Sequence, residues 1–592
     1  MIRVIKKDNT KEEFNVQKVV NAVNKSATRV MYEFTPTEIE YICSYVTEKA
    51  EAFHTDEITI AQMHNIVEGA LEATNPDVAK SYKDYRNYKQ DFVSMLDEVY
   101  KKSQSIMYIG DKENSNTDSA LVSTKRSLIF NELNKELYQK FFMTTEELQA
   151  CRDGYIYVHD MSARRDTMNC CLFDVKSVLE GGFEMGNLWY NEPKTLAVAF
   201  DVIGDITLSA ASQQYGGFTV PSVDLLLEPY AEKSYKKQYD RYKSLGLSDE
   251  AAEREAMADV KVDFEQGFQG WEYKFNSVSS SRGDYPFITM TAGTGTGRFA
   301  KMASITMLDV RRKGQGKKNC KKPVLFPKIV FLYDENLHGP GKPLEDVFRA
   351  GVECSSKAMY PDWLSLTGDG YVASIYKKYG RIISPMGCRA YLSPWANEEG
   401  QYITIGRCNI GAVSLNLPLI IKLSQLDHPN NWRTAFWAVL DERLEVIREF
   451  FKKRYDIIRH QKCSSNPLAF TQGGFYEGTK DPDDEVGDLV RYMTASFGIT
   501  ALDEATYLWT GKRLLEEGGD FSAEVLRHLQ AKINEYKKED GWLYAIYGTP
   551  AESLCGLQIT QFRKKYGVIE HVSDRPYVSN SFHCHVTEDI TP

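Results

Sequence analysis

The sequence predicts an α/β fold preceded by a small, mostly helical module at the N-terminus. After residue 118, long segments with helical periodicity alternate with short runs rich in β-branched and aromatic residues, a pattern typical of α/β architectures. The clearest of these runs are Phe326–Leu332, Tyr402–Ile405 and Val568–Val572. A length of 592 residues and an apolar fraction of 42% are sufficient for one very large core plus a separate module.

Composition excludes several classes of protein. Lys and Arg total 72 against 82 Asp and Glu, so a chain of net charge −10 has no general electrostatic reason to bind nucleic acid or anionic membranes. The N-terminal residues MIRVIKKD contain no signal-peptide core, and apolar stretches such as Leu415–Ile421 are far shorter than a membrane span. We therefore expect a cytoplasmic protein, with no nucleic-acid or membrane partner, whose 11 cysteines are reduced. No CxxC pair occurs, so we expect no metal site in this chain.

The N-terminal module is predicted to span residues 1–95. Arg3–Lys7 is a short β-like run, and Glu13–Val16 could be its hairpin partner after a turn. Apolar residues at helical spacing predict a helix over Val16–Arg29, and the sequence TPTE from Thr35 predicts the start of a second helix. A third helix is predicted over Thr59–Ala73. Its inward-facing residues are predicted to be Met63, Ile66, Val67 and Leu71.

A polar segment separates this module from a second domain, predicted over residues 119–592. Residues 101–118 are rich in Asn, Ser and Asp and show no period, so we expect a linker over 96–118. Within the second domain, the charged stretch Pro229–Asn276 is expected to be helical with a solvated face. The basic block Arg311–Lys322 is expected to be a solvated loop, with steering of polyphosphate substrates as the alternative.

Charged residues of the first hairpin and helix form a candidate nucleotide site. Lys6 and Lys7 are adjacent and could hold a triphosphate, while Glu12 and Asn15 could contact a sugar or a base. Lys18 follows on the first helix. Ordinary surface charge is the alternative interpretation of this cluster.

Two cysteine segments are candidates for chemistry. The sequence SPMGCRAYLS places Cys388 in a turn, where a tight loop tip could present one sulfur to a substrate; a buried core cysteine is the alternative. In YVHDMSARRDTMNCCLFD, Cys170 and Cys171 are adjacent, and only one of them can face a given cavity because successive strand residues point to opposite faces. In GRCNIGAVSLN, Asn409 precedes a β-like run.

Three further segments have the composition of site loops. Ser212–Gly217 (SQQYGG) ends a helical segment with hydrogen-bond donors and a Gly–Gly break. Gly548–Ser553 (GTPAES) places Pro550 at the start of a helix, whose free N–H groups would form a phosphate site. Asn580–His585 (NSFHCH) is expected to be structural, because alternate strand residues cannot all bind one metal. Gly293–Gly297 (GTGTG) lacks the spacing of a phosphate loop and is expected to be a flexible turn.

The order of these segments resembles two known families. The sequences VIKKDN, EEFN with a following lysine, ITIAQMHNIVEGAL and YKDYR resemble the ATP-cone, a regulatory nucleotide-binding domain of ribonucleotide reductases and of a few transcriptional repressors. After it, NCCLFD, SQQYGG, SPMGCR, GRCNIGAVSLNLP, TPAES and NSFHCHVTEDITP resemble, in this order, the catalytic subunit of class III anaerobic ribonucleoside-triphosphate reductase. These matches span essentially the whole chain after the cone.

The resemblance to the reductase implies a ten-stranded α/β barrel of the glycyl radical enzyme type, with a finger loop near 384–393. It gives Cys388 the role of the radical cysteine: a glycyl radical converts its thiol to a thiyl radical, which abstracts the ribose 3′-hydrogen. A cysteine on the first barrel strand donates the proton for loss of the 2′-hydroxyl as water, here Cys170 with Cys171 as the alternative. The active-site asparagine corresponds to Asn409, which would bind sugar hydroxyls or the reductant.

Ligands and partners are implied by the same resemblances. Met386 and Asn409 resemble the branch that uses formate as reductant, which supplies two electrons without forming a disulfide. A radical SAM activating enzyme is the implied partner of a homodimer or of a larger nucleotide-dependent oligomer. ATP is implied to activate through the cone and dATP to inhibit, and other dNTPs would bind a second effector site at a dimer interface. Substrate phosphates would contact Thr549, Pro550, Ala551, Glu552 and Ser553. Nucleotide contacts in the cone would come from Val4, Lys6, Lys7, Glu12, Asn15, Lys18 and His64.

The C-terminal sequence departs from the family's pattern. The family continues past TEDITP into a zinc-binding domain with two cysteine pairs and then to the glycine that carries the radical. Neither the zinc ligands nor this glycine occurs in the 592 residues. We therefore expect these residues to bind nucleotides and to complete no turnover unless such a tail follows Pro592.

Two other functions remain open at this stage. Another glycyl radical enzyme, such as a carbon–carbon lyase, could use the same barrel, although it would need no nucleotide module. A non-catalytic nucleotide sensor could use the cone to control oligomerisation.

Overall fold

The computed structural model describes the chain at residues 2–6, 10–30, 32–108, 121–165, 167–277, 285–387, 390–550 and 552–588. The chain forms two compact units, Met1–Ser105 and Ile106–Pro592. Within the described ranges, none of the helices combines the length and the apolar composition that a membrane crossing requires.

The elements follow in chain order. The strands are β1 (Arg3–Ile5), β2 (Lys11–Glu13), β3 (Glu57–Thr59), β4 (Ile156–Val158), β5 (Cys171–Leu172), β6 (Phe183–Met185), β7 (Leu188–Tyr190), β8 (Phe218–Val220), β9 (Ile288–Ala292), β10 (Gln315–Lys317), β11 (Cys320–Lys322), β12 (Lys328–Tyr333), β13 (Asp362–Ser365), β14 (Arg407–Asn416), β15 (Thr494–Thr500) and β16 (Leu543–Gly548). The helices are α1 (Val16–Arg29), α2 (Pro36–Glu51), α3 (Ile60–Thr74), α4 (Pro76–Tyr108), α5 (Val122–Phe141), α6 (Thr145–Asp153), α7 (Val175–Leu179), α8 (Leu196–Ala211), α9 (Val223–Ser244), α10 (Asp249–Phe275), α11 (Arg298–Lys313), α12 (Glu335–His338), α13 (Glu345–Ser355), α14 (Tyr371–Tyr379), α15 (Leu417–Asp427), α16 (Trp432–Arg459), α17 (Pro467–Phe470), α18 (Leu502–Thr510), α19 (Gly519–Asp540) and α20 (Glu552–Tyr566).

The first unit is a three-stranded sheet with helices packed around one apolar core. β1 pairs antiparallel with β2 and parallel with β3. The three predicted helices are confirmed as α1, α2 and α3, and Thr35 forms the expected capping box with Glu38 at the start of α2. The face of α3 that was predicted to point inward is buried in this core. The residues of this core include Val23, Ile42, Val46, Met63, Ile66, Val67 and Leu71.

The hairpin partner of β1 differs from the prediction. The sequence suggested Glu13–Val16, whereas β2 is Lys11–Glu13. The side-chain oxygen of Asn15 accepts the N–H of Gln17 (2.9 Å) and caps α1, so the chain is already helical at Val16. The strand must therefore end before this cap.

Helix α4 occupies the first part of the predicted linker. It runs from Pro76 to Tyr108, so residues 101–108 are helical rather than irregular. No glycine or proline stands between Pro76 and Gly110, and the Lys, Glu, Ser and Gln side chains of this stretch are compatible with a solvated helix. The remainder of the linker, residues 109–118, lies outside the described residues.

A nine-stranded sheet is the centre of the second unit. β13, β12, β9, β8 and β5 lie side by side in that order and run parallel, as do β14, β15 and β16. The two sets meet where β5 runs antiparallel to β14, and β4 pairs with the same edge of β14 further along. Helix α9 packs on the first set, and α16 and α19 pack on the second. This is the predicted α/β barrel type, with nine strands among the described residues where the resemblance implied ten.

Two of the three predicted β-runs do not form strands of this sheet. Phe326–Leu332 is confirmed in β12. Tyr402–Ile405 makes only an isolated bridge, in which Tyr402 pairs with Ala396, because the Tyr402 ring stacks on Tyr379 at the surface of the barrel instead of joining a ladder. Val568–Val572 is a turn after α20, closed by hydrogen bonds to the Ile569 carbonyl, and Val568 is 68% exposed.

The charged stretch is helical, as predicted, but the basic block is not simply a solvated loop. Helices α9 and α10 cover most of Pro229–Asn276, and α10 buries Phe268 and Trp271. Arg311 lies in the last turn of α11, fully buried, and its Nε donates to the Glu272 carboxylate (2.6 Å). The rest of the block forms the exposed β10–β11 hairpin. The run of basic residues in the sequence does not show that Arg311 is the one whose side chain is buried.

Candidate active site

A loop, which we call the finger segment (383–393), lies between α14 and β14, and most of its described residues are buried. The backbone N–H of Met386 donates to the carbonyl of Ala390 (2.8 Å), so the chain reverses between these two residues. Gly387 has a φ of +59°, a conformation that favours glycine. The turn predicted around Cys388 is therefore confirmed at its flanks, while Cys388 itself lies outside the described residues.

The finger segment touches the barrel wall at a pair of glycines. A Cβ atom on Gly217 would lie 2.6 Å from the Cα of Gly387, so no larger residue fits there without displacing the loop. Gly217 ends the predicted SQQYGG segment, which follows the end of α8 at Ala211 as expected. Its backbone N–H also donates to the sulfur of Cys170 (3.1 Å). The same glycine thus contacts the loop and a cysteine.

The two adjacent cysteines face opposite sides of β5, as strand geometry predicted. Cys170 packs in a small cluster with Leu172 and Met386, on the side of the finger segment. Cys171 is fully buried in the main core, where burial raises the pKa of its thiol well above the usual value. The thiol of Cys170 donates weakly to Oδ1 of Asn169 (3.3 Å).

Asn409 lies within β14 rather than before it. Its Nδ2 donates to Oγ of Ser496 (2.7 Å), and its Oδ1 accepts from Nδ2 of Asn169 (3.3 Å) and from the N–H of Gly411 (2.8 Å). The last of these bonds spans a register shift in β14, which turns the strand at this point. Asn409 is fully buried and connects β14 and β15 with the segment that precedes β5, where Asn169 contacts Cys170.

Three hydrogen-bonded side chains, those of His159, Ser414 and Thr549, lie at the other end of the site. Oγ of Ser414 lies 2.6 Å from Oγ1 of Thr549 and 2.7 Å from Nε2 of His159. A Cβ on Gly498 would come within 2.4 Å of both hydroxyl oxygens, so this glycine makes room for their contact. Burial, with a smaller contribution from the charge of Arg164, lowers the pKa of His159 to about 3, and the imidazole is therefore neutral at physiological pH.

The predicted phosphate segment starts at one of these side chains, Thr549. Thr549 is buried, α20 begins at Glu552 as expected, and Ser553 is exposed. Pro550 is half-buried, and Ala551 lies outside the described residues. The N-terminal end of a helix of 15 residues thus lies next to the three hydrogen-bonded side chains.

The thiol end and the phosphate end lie on one face of the second strand set. Ser496, which bonds Asn409, and Gly498, beside Ser414 and Thr549, are two residues apart on β15. Two residues of a strand span about 7 Å, and both point to the same face. The arrangement suits a ligand with an anionic group at one end and a reacting sugar-sized part at the other.

Comparison with known proteins decides the family. The family model described as anaerobic ribonucleoside-triphosphate reductase matches residues 113–592, and the ATP cone domain model matches residues 2–91. The chain belongs to the anaerobic ribonucleoside-triphosphate reductase family. The reductase of Haemophilus influenzae is 31% identical over 100% of this chain and 82% of that protein. The reductase of Enterobacteria phage T4 is 33% identical over 81% of this chain and 77% of its own. The anaerobic ribonucleotide reductase of Thermotoga maritima, solved with glycerol in the active site, shares the fold with a TM-score of 0.59 at 17% identity, covering 84% of this chain and 80% of that one.

The cone residues expected to bind nucleotide are only partly assembled into one cluster. The Glu12 carboxylate pairs with the ammonium groups of both Lys6 and Lys18. Asn15 caps α1, and Val4 is buried in β1. His64 lies on α3, where its Nδ1 is 2.8 Å from the hydroxyl of Tyr82. Lys7 lies outside the described residues.

Two motifs of this family member have structural roles. His585, in NSFHCH, hydrogen-bonds the Thr587 hydroxyl (2.8 Å) and the Tyr577 carbonyl (3.0 Å), as expected for a structural histidine. The GTGTG turn is fixed rather than flexible, because the buried Asp224 carboxylate accepts from the N–H groups of Gly293 and Gly295 (3.0 Å each). Among the residues that the structure describes, no group of three or more His, Cys, Asp or Glu could hold a metal.

Sequence reasoning missed four side chains of the reductase site. These are His159, Asn169, Ser414 and Ser496. The first three stand within segments singled out for their cysteines or for Asn409, so a weak local signal existed. Ser496 had none, because its bond to Asn409 depends on strand pairing across 87 residues of sequence.

Proposed function

We propose that this chain reduces ribonucleoside triphosphates to deoxyribonucleoside triphosphates with Cys388 as the thiyl residue and Cys170 on the other face of the sugar. The observation that carries the proposal is the position of Gly217. Gly387, the covalent neighbour of Cys388, packs on Gly217, whose N–H bonds the sulfur of Cys170. The residue that precedes Cys388 is thereby brought to the segment that binds the sulfur of Cys170, which supports a reaction on both faces of a ribose.

The chain's own residues have separate tasks in this reaction. Cys388 would give the hydrogen atom of its thiol to the glycyl radical of the family, and would itself become the thiyl. Cys388 then takes the 3′-hydrogen, which labilises the 2′-hydroxyl. Cys170 gives its proton to that hydroxyl as it leaves as water, and the Gly217 N–H stabilises the sulfur after proton loss. Asn409 orients Asn169, which in turn holds the Cys170 thiol.

Formate is the proposed reductant. The balanced reaction is NTP + HCOO⁻ + H⁺ → dNTP + CO₂ + H₂O, in which formate provides both electrons. Met386 packs against Cys170 and presents an apolar surface there. Reductases that use a thioredoxin-like protein would need a further thiol at this place. The absence of any CxxC pair in the chain is consistent with this choice.

With radiolabelled formate, the activated protein is expected to release one labelled CO₂ for each dCTP formed from CTP. The reason is that formate supplies both electrons, so no disulfide of the chain has to be reduced again in the cycle. A parallel reaction with a reduced thioredoxin-like protein in place of formate is the control. Equal rates of dCTP formation in that control would contradict the choice of formate, and the reduction itself would stand.

The substrate triphosphate is proposed to bind at Thr549–Ser553, at the N-terminus of α20. The helix dipole and free N–H groups favour an anion there. Thr549 is held by the Ser414 hydroxyl and through its own carbonyl, which accepts the N–H of Ser581 (3.0 Å). The rigid side-chain partners fix this segment relative to the cysteines, so that the phosphates determine where the ribose lies.

Residues 1–95 are proposed to act as the regulatory cone, with ATP permitting activity and dATP inhibiting it. Its proposed contacts are Val4, Lys6, Lys7, Glu12, Asn15, Lys18 and His64. Glu12 neutralises two of the lysines in the described state, so a bound triphosphate would replace this carboxylate as their partner. Regulation then requires only that the two nucleotides favour different arrangements of the cone.

The double substitution Lys6→Ala/Lys18→Ala is expected to raise the dATP concentration that gives half inhibition by about 10²-fold, because two charge-assisted contacts are lost. Uninhibited dCTP formation should be retained, and removal of residues 1–95 should abolish inhibition altogether. Lys11→Ala is the matched control, since Lys11 lies on the same hairpin and pairs with Glu57 (2.7 Å). If dATP still inhibits both the double variant and the protein without residues 1–95, the assignment of dATP inhibition to the cone is refuted.

Several partners and conditions complete the proposal. A radical SAM activating enzyme would install the radical, and the chain would act as a homodimer or a larger nucleotide-dependent oligomer in the cytoplasm. Every cysteine among the described residues is a free thiol, in keeping with a reducing compartment. Zinc is proposed by resemblance alone, as a ligand of the C-terminal domain that the family has after TEDITP.

A further inference from the structure

Two threonines on the barrel wall bind the backbone of the finger segment. Thr219 on β8 and Thr289 on β9 are register partners, and both are fully buried. The Thr219 hydroxyl donates to the carbonyl of Pro385 (3.1 Å) and accepts the N–H of Gly387 (3.4 Å). The Thr289 hydroxyl donates to the carbonyl of Gly387 (3.4 Å). Together with Gly217 these threonines form what we call the finger seat.

The finger seat also contacts the second cysteine. Gly217 lies two residues before Thr219, so its contacts and those of the threonine belong to one stretch of chain. The absent side chain of Gly217 lets Gly387 approach, and the Gly217 N–H bonds Cys170. The same stretch of backbone, residues 217–219, therefore contacts both the finger segment and the sulfur of Cys170.

We propose that Thr219 and Thr289 are positioning residues that set the separation between the Cys388 thiol and Cys170, a role that rests on the function proposed above. Hydrogen transfer needs the reacting atoms about 3–3.5 Å apart, and a displacement near 1 Å can cost about 10²-fold in rate. Cys388 directly follows Gly387 in the chain. The N–H and the carbonyl of Gly387 take part in two of the three hydrogen bonds that the threonines make. A buried strand pair is stiff enough to hold this geometry, whereas a loop tip alone is not.

The seat acts on the chemical step and not on substrate binding. The phosphate segment at Thr549 directly follows β16, in the other strand set, and no hydrogen bond joins it to either threonine among the described residues. Loss of a threonine hydroxyl should therefore lower kcat and leave KM for the nucleotide nearly unchanged. It should also loosen the turn and make the Cys388 thiol react faster with an external reagent.

The test compares Thr219→Val with Thr219→Ser in the activated protein. Thr219→Val keeps the shape of the side chain and removes the hydroxyl, so we expect kcat for CTP to fall by about 10²-fold with KM little changed. Thr219→Ser retains the hydroxyl and should restore kcat. Thr207→Val is the matched control, because Thr207 is buried in α8 and its hydroxyl has no hydrogen-bond partner in the described structure.

The second measurement is alkylation of Cys388 by iodoacetamide before activation, followed by peptide mass spectrometry. We expect faster alkylation in Thr219→Val and the parent rate in Thr219→Ser and Thr207→Val. Unchanged kcat and alkylation in Thr219→Val, or a change in KM alone, would overturn the proposal. If Thr219→Val does not fold, Thr289→Val decides, since it removes a single hydrogen bond and should lower kcat by about 10-fold.

A failure of the finger seat and a failure of the proposed function give different results. If a parent protein that includes the C-terminal radical tail and carries the glycyl radical forms no deoxynucleotide, while alkylation of Cys388 still rises in Thr219→Val and returns in Thr219→Ser, the proposed function is refuted and the seat stands. If the parent is active and the valine variants behave as the parent does in both measurements, the seat is refuted and the reductase stands.

Discussion

Substitution of Cys388 by serine is expected to abolish dCTP formation, a loss of about 10⁴-fold or more, because no other group at the finger tip can take the 3′-hydrogen. A hydroxyl occupies the same place as a thiol, but its O–H bond is much stronger than an S–H bond. The radical therefore cannot pass to serine. Measured from 3′-tritiated CTP, the release of tritium to water should fall together with dCTP formation.

The control for this substitution is Cys320→Ser. Cys320 is exposed on the β11 hairpin and should be replaceable without effect on dCTP formation or on tritium release. CTP affinity, measured by calorimetry, should be the same in all three proteins, because the phosphate segment is untouched. Substantial dCTP formation by Cys388→Ser would exclude the proposed role. A nucleotide sensor, in contrast, would form no dCTP in any of them and would keep its response to dATP.

The sequence was most informative where structure is decided locally. The cap at Thr35, the end of α8 before Gly217 and the start of α20 after Pro550 each depend on a few neighbouring residues. Such signals require only backbone hydrogen bonds and side-chain periodicity, which are written in consecutive residues. The cysteine segments were found for the same reason.

The sequence was least informative where pairing between distant segments decides. Tyr402–Ile405 has the composition of a strand, yet its backbone forms only an isolated bridge with Ala396. Arg311 stands in a run of basic residues, yet it is buried because Glu272, on another helix, compensates its charge. The side-chain partners of Asn409 precede and follow it by 240 and 87 residues, so no local pattern contains them.

The finger seat illustrates the same limit within the active site. Thr219 and Thr289 each stand in a short buried strand, where a threonine is ordinary. Only the register of β8 against β9 brings their hydroxyls to one place, and only the finger segment, 166 residues after Thr219, gives those hydroxyls partners. The residues that hold the chemistry in position are therefore harder to find from sequence than the residues that perform it.

Substitution of Cys170 by serine is expected to lower dCTP formation by about 10³-fold, because a hydroxyl is a much weaker acid than a thiol for the departing 2′-hydroxyl. The neighbouring substitution Cys171→Ser should retain most of the activity. Cys171 points into the main core, away from the finger segment, so its replacement should lower the melting temperature instead. The pair is a close control, since the two positions differ only in the face of the strand.

Tritium release distinguishes the two catalytic cysteines from each other. If Cys388 takes the 3′-hydrogen and Cys170 acts only afterwards, Cys170→Ser should still release tritium from 3′-tritiated CTP while it forms almost no dCTP. Cys388→Ser should do neither. A Cys170→Ser variant with full dCTP formation, beside an inactive but well-folded Cys171→Ser, would exchange the roles of the two residues. That result would also require the strand to be turned over in the active protein, because Cys170 alone of the pair packs with Met386 in the finger segment.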